Sequence, residues 1–155
     1  MPYIADWDDF FIGMAKYVSQ KSKDPSTQVG AVLVSPDRKL VIPGWNGFPT
    51  GIKDTAERLH NRELKYQIVL HAEENALGNC PARPKGFTLY VWPLAPCAKC
   101  ASHIIQRGIA RVVFPYEAIE KAEGRWKDSN KLAVSLLREA GVDVWYHGET
   151  EEIPC

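Results

Sequence analysis

Two short motifs constrain this chain more than anything else in it: His71-Ala72-Glu73 and, downstream, Pro96-Cys97-Ala98-Lys99-Cys100. They offer one imidazole, two thiolates and a spare carboxylate, so a fold that uses them must carry two separate segments to one point. A structural zinc ion is closed by four protein ligands, whereas a hydrolytic one keeps its fourth position for water. Three ligands, His71, Cys97 and Cys100, with Glu73 left over to handle protons, describe the hydrolytic kind. A zinc ribbon would need a second C-x-x-C, which the chain lacks, and a redox dithiol would leave the H-x-E unexplained. The other cysteines, Cys80 in a Gly78-Asn79-Cys80-Pro81 turn and Cys155 at the end, read as free thiols without chemical duty.

Changes of hydrophobic period place these motifs in an α/β layout. Residues 6–21 set Trp7, Phe10, Phe11, Met14, Tyr17 and Val18 at helical spacing, with Asp6 available as N-cap. Gln28 to Ser35 and Leu40 to Trp45 read as two strands of a hairpin across Pro36-Asp37-Arg38-Lys39. Residues 47–66 are the least regular and read as a long loop with a short helix from about Thr55. Beyond them, helices over Ala72–Leu77, Cys97–Gln106 and Ser129–Glu139 alternate with strands over Phe87–Trp92, Arg111–Phe114 and Val142–Tyr146. Strand-helix-strand alternation implies parallel strands joined by right-handed crossovers, hence a five-stranded sheet between helices. No linker or repeat interrupts the pattern, so residues 1–155 read as one domain.

Both ligand groups then fall at helix N-termini, where unpaired N–H groups and the helix dipole favour thiolate and developing negative charge. Cys97 and Cys100, three apart, share a helical face, while Glu73 can reach over a metal rather than bind it. Zinc lowers the pKa of a coordinated water towards about 7; Glu73 would take the proton, and the hydroxide would attack an amidine-like carbon. The same carboxyl can then return protons to the ring nitrogen and the departing amine. H-x-E followed by P-C-x-x-C is the signature of the zinc deaminases of nucleobases. His103, three residues after Cys100, reads as packed or solvent-facing, and His60 and His147 carry no supporting motif.

Charge narrows the substrate. Lys plus Arg equals Asp plus Glu at 19 each, which leaves no net charge to draw the chain onto a nucleic acid polymer or an anionic membrane. The start lacks a cationic, apolar leader and no apolar run approaches a membrane span, so a cytoplasmic protein is expected.

Gly44-Trp45-Asn46-Gly47-Phe48-Pro49, His71-Ala72-Glu73-Glu74-Asn75-Ala76, Pro96-Cys97-Ala98-Lys99-Cys100 and Ile104-Ile105-Gln106-Arg107-Gly108-Ile109 together resemble the deoxycytidylate (dCMP) deaminase family. The zinc motifs would fit any deaminase of the superfamily; the other blocks point to dCMP, and the likeness runs from the first helix to about Val144. The resemblance implies a three-layer α-β-α cytidine deaminase-like fold, a five-stranded mixed sheet with its last strands parallel, and hydrolysis of dCMP to dUMP and ammonia for thymidylate synthesis. It makes His71, Cys97 and Cys100 the Zn2+ ligands and Glu73 the acid/base. Asn46 matches the residue that contacts the sugar hydroxyl, and backbone N–H groups at Ala72 and Cys97 become partners for the pyrimidine carbonyl and the attacking oxygen. Lys23, Ser26 and Thr27 occupy the turn where the family gathers phosphate contacts. A homo-oligomer, hexamer or dimer, is implied too, with exposed apolar residues such as Trp126 as candidates for its interface.

The chain departs from the family in one region. Several members carry extra Cys and His residues before H-A-E for a second, structural zinc, whereas residues 47–70 hold no Cys and only His60, so one zinc per chain is expected. The insertion instead brings Asp54, Glu57, Arg58, Arg62, Glu63 and Lys65, as ion pairs, subunit contacts or part of the substrate wall. Other small substrates share the zinc chemistry: modified dCMP, dCTP, deoxycytidine or guanine. A polynucleotide substrate would call for a basic, aromatic-rich channel that the neutral balance does not favour.

Overall fold

The computed structural model describes residues 2–148, so Cys155 lies outside the described residues. Helix α1 (Trp7–Ser19) starts where Asp6 Oδ1 accepts the Asp9 N–H at 2.8 Å, with Asp8 and Asp9 at the positive end of the dipole. Strands β1 (Gly30–Val34) and β2 (Val41–Trp45) form the expected antiparallel hairpin. Then come α2 (Ala56–His60), α3 (Arg62–Ile68), α4 (Ala72–Asn79), β3 (Thr88–Trp92) and α5 (Ala98–Gln106). The described chain closes with β4 (Arg111–Pro115), α6 (Tyr116–Glu120), α7 (Gly124–Glu139) and β5 (Asp143–His147).

The five strands form one sheet in the order β2-β1-β3-β4-β5. β1 runs antiparallel to β2 and β3, and β3, β4 and β5 run parallel, as a helical crossover after each requires. Alternate strand residues serve opposite faces. Val32, Val34, Tyr90 and Val113 pack with Phe11, Ile12 and Ala15 of α1. Ala31, Leu33, Leu89, Val91, Val112 and Phe114 pack with Ala72 and Ala76 of α4, Ala101 and Ile104 of α5, and Ala133 and Leu137 of α7. The result is the α-β-α sandwich expected, with β1 buried along its whole length, which explains its unbroken apolar run.

The segment after the hairpin is more regular than its sequence suggests. Residues 47–66, expected as a long loop with one short helix, hold α2 and most of α3, started by Thr55 Oγ1 accepting Arg58 N–H and Asn61 Oδ1 accepting Leu64 N–H. Helices of five and seven residues are too short for an apolar stripe to show; α2 buries nothing and α3 buries only Lys65. α6 escapes notice for the same reason. α7 begins at Gly124, ahead of the expected Ser129, because its first turn is mostly polar. The excursion is closed by a bridge in which Gly47 and Leu70 exchange both backbone hydrogen bonds, at 3.1 and 2.8 Å, so Asn46 and His71 become neighbours.

Helix α4, which carries the H-x-E, lies directly on β2. A Cβ at Gly44 would stand 2.3 Å from Ala76 N and 2.5 Å from Ala72 O, both backbone atoms that cannot swing aside. Gly44→Ala is therefore expected to destabilise the protein by about 3 kcal/mol, the upper range for overpacking, and to displace α4 from the site. Gly13→Ala, on α1 with nothing within 4 Å of the new methyl, is expected to stabilise by about 0.5–1 kcal/mol. Denaturant midpoints of the two variants would show the contrast; equal shifts would mean that α4 does not rest on Gly44.

Candidate active site

The two motifs meet at the N-termini of α4 and α5. His71 is the N-cap of α4, its backbone N–H bonded to Glu74 Oε1 at 3.0 Å, and Cys97 is the N-cap of α5, its sulfur accepting the Cys100 N–H at 3.4 Å. His71 Nδ1 lies 3.3 Å from Cys100 Sγ and 3.5 Å from Cys97 Sγ, and the three ligand atoms fall within 4.8 Å of one another. Bond lengths of a tetrahedral zinc put its nitrogen and sulfur ligands about 3.6 Å apart, so these residues fit the ion without rearrangement. Among the described residues this is the one His/Cys/Asp/Glu group placed to hold a metal; His103 is exposed and takes no part.

Electrostatics agree with a metal centre. The Cys97 thiol is pulled down to about 4, foremost by its hydrogen bond from Cys100, then by His71 and the Cys100 backbone N–H, against the cost of burial. Cys100, the buried partner that keeps the shared proton, is pushed up by that same bond and by desolvation. His71 is raised to about 9 by its bond to Cys97, with Glu73 adding to it. A cation that replaces this proton relieves the same crowd of sulfur and carboxyl charge. Glu73, at the second position of α4, is 4% exposed, and desolvation raises it to about 7, offset in part by the His71 charge. A carboxyl poised near neutrality can both accept and return a proton.

His71, Ala72 and Glu73 line a cavity of about 310 Å³ whose other walls include Val29, Asn46, Val69, Leu94, Ala95 and Trp126. Asn46 braces its rim: Oδ1 accepts the Val29 N–H and Nδ2 donates to Thr27 O, both at 2.9 Å, which leaves one N–H free. Ser26 and Thr27 also line the cavity. Lys23 does not; its side chain, 68% exposed, pairs with Asp54 at 3.0 Å.

Lys65, one of the insertion residues expected in ion pairs, subunit contacts or the substrate wall, is buried at the cavity wall and paired with Asp24. Two further residues, on α7, have roles that the sequence reading did not give them. Trp126 lies on the cavity rather than standing out as an exposed interface residue, and its indole Nε1 is buried without a partner among the described residues. Asn130, 1% exposed, donates from Nδ2 to Ala95 O and Pro96 O, while Ser129 Oγ accepts the Ala98 N–H at 3.0 Å, so α7 holds the loop that delivers Cys97. The early start of α7 is the missing signal for Trp126, which precedes the expected Ser129; Asn130 falls inside the expected helix, and only its burial against the Cys97 loop was not foreseen.

A site of this form is that of a zinc hydrolase acting on an amino-substituted ring, in the fold that its motifs led us to expect. The chain belongs to the cytidine and deoxycytidylate deaminase family, matching its zinc-binding region over residues 5–116. An uncharacterized deaminase from the luxG 3' region of Aliivibrio fischeri is 41% identical over 141 residues, covering 91% of this chain and 93% of that protein. The deoxycytidylate deaminase of Mus musculus is 41% identical over 126 residues, 76% of this chain and 69% of its own. Among solved structures, the dCMP deaminase of cyanophage S-TIM5 in apo form superposes with a TM-score of 0.70 at 24% identity, over 93% and 99% of the two chains. Its complex with dCMP and dUMP gives 0.68 at 26% identity, over 92% and 98%.

Proposed function

We propose that this protein hydrolyses dCMP to dUMP and ammonia, with residues 1–155 acting as a single deaminase domain. The observation that carries the reading is the opening of a nucleotide-sized cavity onto the face of the metal site that holds Glu73. Relatives named as deoxycytidylate deaminases, at about two-fifths identity, support dCMP over the other small substrates.

Nδ1 of His71 and Sγ of Cys97 and Cys100 would hold a zinc ion, which would supply Lewis acidity and let a water act as nucleophile near neutral pH. Glu73 accepts the proton of the attacking water and passes it to ring N3 as the water oxygen bonds to C4, then takes the remaining proton from that oxygen and delivers it to the amine as the C4–N bond breaks and the C4 carbonyl forms. Burial keeps its carboxyl from losing the proton to solvent. The Ala72 N–H, at the first turn of α4 and without an intrahelical partner, donates to the pyrimidine carbonyl. Asn46 offers its free N–H to the sugar hydroxyl, and Ser26 and Thr27 offer hydroxyls on the same wall.

Assembly as a homo-oligomer, hexamer or dimer, belongs to the same reading, supported by exposed Tyr3, Trp7, Tyr17 and Trp145. A cytoplasmic site of action accords with the absence, among the described residues, of a helix long and apolar enough to cross a membrane. Ammonia release from dCMP, dCTP, deoxycytidine, cytosine, guanine and 5-substituted dCMP tests the substrate. dCMP is expected to give the highest kcat/KM, and a preference for cytosine or guanine would overturn the nucleotide reading.

A further inference from the structure

Cys97 is the member of the metal site whose backbone has least support from its own neighbours. Cys100 lies inside α5, and His71 is steadied by the Gly47–Leu70 bridge before it and by the Glu74 carboxylate after it. Cys97 instead ends the irregular stretch 93–97 between β3 and α5, and Pro96 ahead of it has no N–H with which to anchor the chain. A site residue must nevertheless be held to within about 0.5 Å of its working position.

Two adjacent residues of α7 provide what the stretch lacks. Asn130 Nδ2 donates to Ala95 O at 3.3 Å and to Pro96 O at 3.0 Å, and Ser129 Oγ accepts the Ala98 N–H at 3.0 Å. The Pro96 carbonyl belongs to the peptide plane before the Cys97 Cα, and the Ala98 N–H to the plane after it. With both planes pinned, the Cys97 backbone is held at φ −77° and ψ 169°, and only rotation about χ1 is left to its sulfur. An uncharged side chain that donates to two carbonyls at once must be an amide. Packing alone would not select one: Asn130 is 1% exposed, and its Oδ1 is buried with no partner among the described residues. A half-satisfied buried amide is unfavourable for the fold by itself, which leaves the grip on residues 95 and 96 as the reason for an asparagine here.

We infer that Asn130 and Ser129 are positioning residues for the zinc site: α7, seated in the core through Ala133 and Leu137, aims the Cys97 sulfur and thereby sets how tightly the ion is held. The inference rests on the ligand set proposed above and is independent of the substrate.

Chelator competition for zinc tests it without any turnover, together with the absorption spectrum of the cobalt(II)-loaded full chain, whose thiolate-to-metal bands report ligand geometry. Asn130→Ala and Ser129→Ala are each expected to weaken zinc about 10- to 100-fold, the usual effect of removing a partner that orients a metal ligand, and to alter those bands. Should Asn130→Ala fail to fold, Ser129→Ala, at a half-buried hydroxyl, decides alone. Ser129→Thr keeps the acceptor oxygen and is expected to stay within about twofold of wild type. Leu137→Ala, two turns further along α7, is the control for plain loosening: it hollows the core and lowers the denaturant midpoint, yet is expected to keep zinc affinity within about twofold. Wild-type affinity and bands in the two alanine variants of the grip, or an equal loss in Leu137→Ala, would overturn the positioning role and leave the ligand set standing. A wild type that holds no zinc would instead overturn the ligand set, and the positioning role with it.

Discussion

Glu73→Gln is expected to lower dCMP turnover by about 10²- to 10⁴-fold, the contribution of a positioned acid/base, while zinc content stays at about one per chain. Glutamine keeps the size and the helical position of Glu73 but can neither take a proton from water nor return one to the leaving amine. The substitution also removes a carboxyl that burial holds up near 7, so the fold loses no ion pair that depended on it. Ammonia release together with metal analysis reads both quantities. Near-wild-type turnover would end the proton-carrier assignment, and loss of zinc would make Glu73 a ligand instead.

Cys97→Ser is expected to abolish both zinc binding and deamination. Serine caps helices better than cysteine, so α5 keeps its start at residue 97, where the sulfur now accepts the Cys100 N–H. What disappears is the soft anionic ligand, since a serine hydroxyl does not ionise near neutrality as the Cys97 thiol, held down to about 4, does. Because zinc binds the folded chain, wild type is expected to gain thermal stability with added zinc and the variant to gain none; each kcal/mol corresponds to about 2–4 °C in a chain of this size. Zinc retained at wild-type stoichiometry would show that the ion rests on other residues.

The metal site was legible because its chemistry is written in residue types: an imidazole, two thiolates and a carboxylate have few other uses at that spacing. The strands were legible because β1 and all but the first residue of β3 and β4 are apolar runs, and the parallel half because helices intervene. The substrate wall was not. Lys65 reads as one charge among many, and its burial comes from a pairing with Asp24 across 41 positions that no local pattern reveals. Lys23 looks like the phosphate lysine from its turn, yet Asp54, 31 positions away, turns its ammonium outwards. Trp126 reads as exposed because the polar start of α7 hides the helix that tucks it over the cavity. Short helices and long-range ion pairs are properties of the folded whole, and they decide which side chains line the cavity.

Product analysis of dCMP incubated with the zinc-loaded protein bears on the central claim most directly. Equal amounts of dUMP and ammonia, lost on chelation and restored by zinc, are the predicted result. dCMP left intact by protein that carries stoichiometric zinc would contradict it.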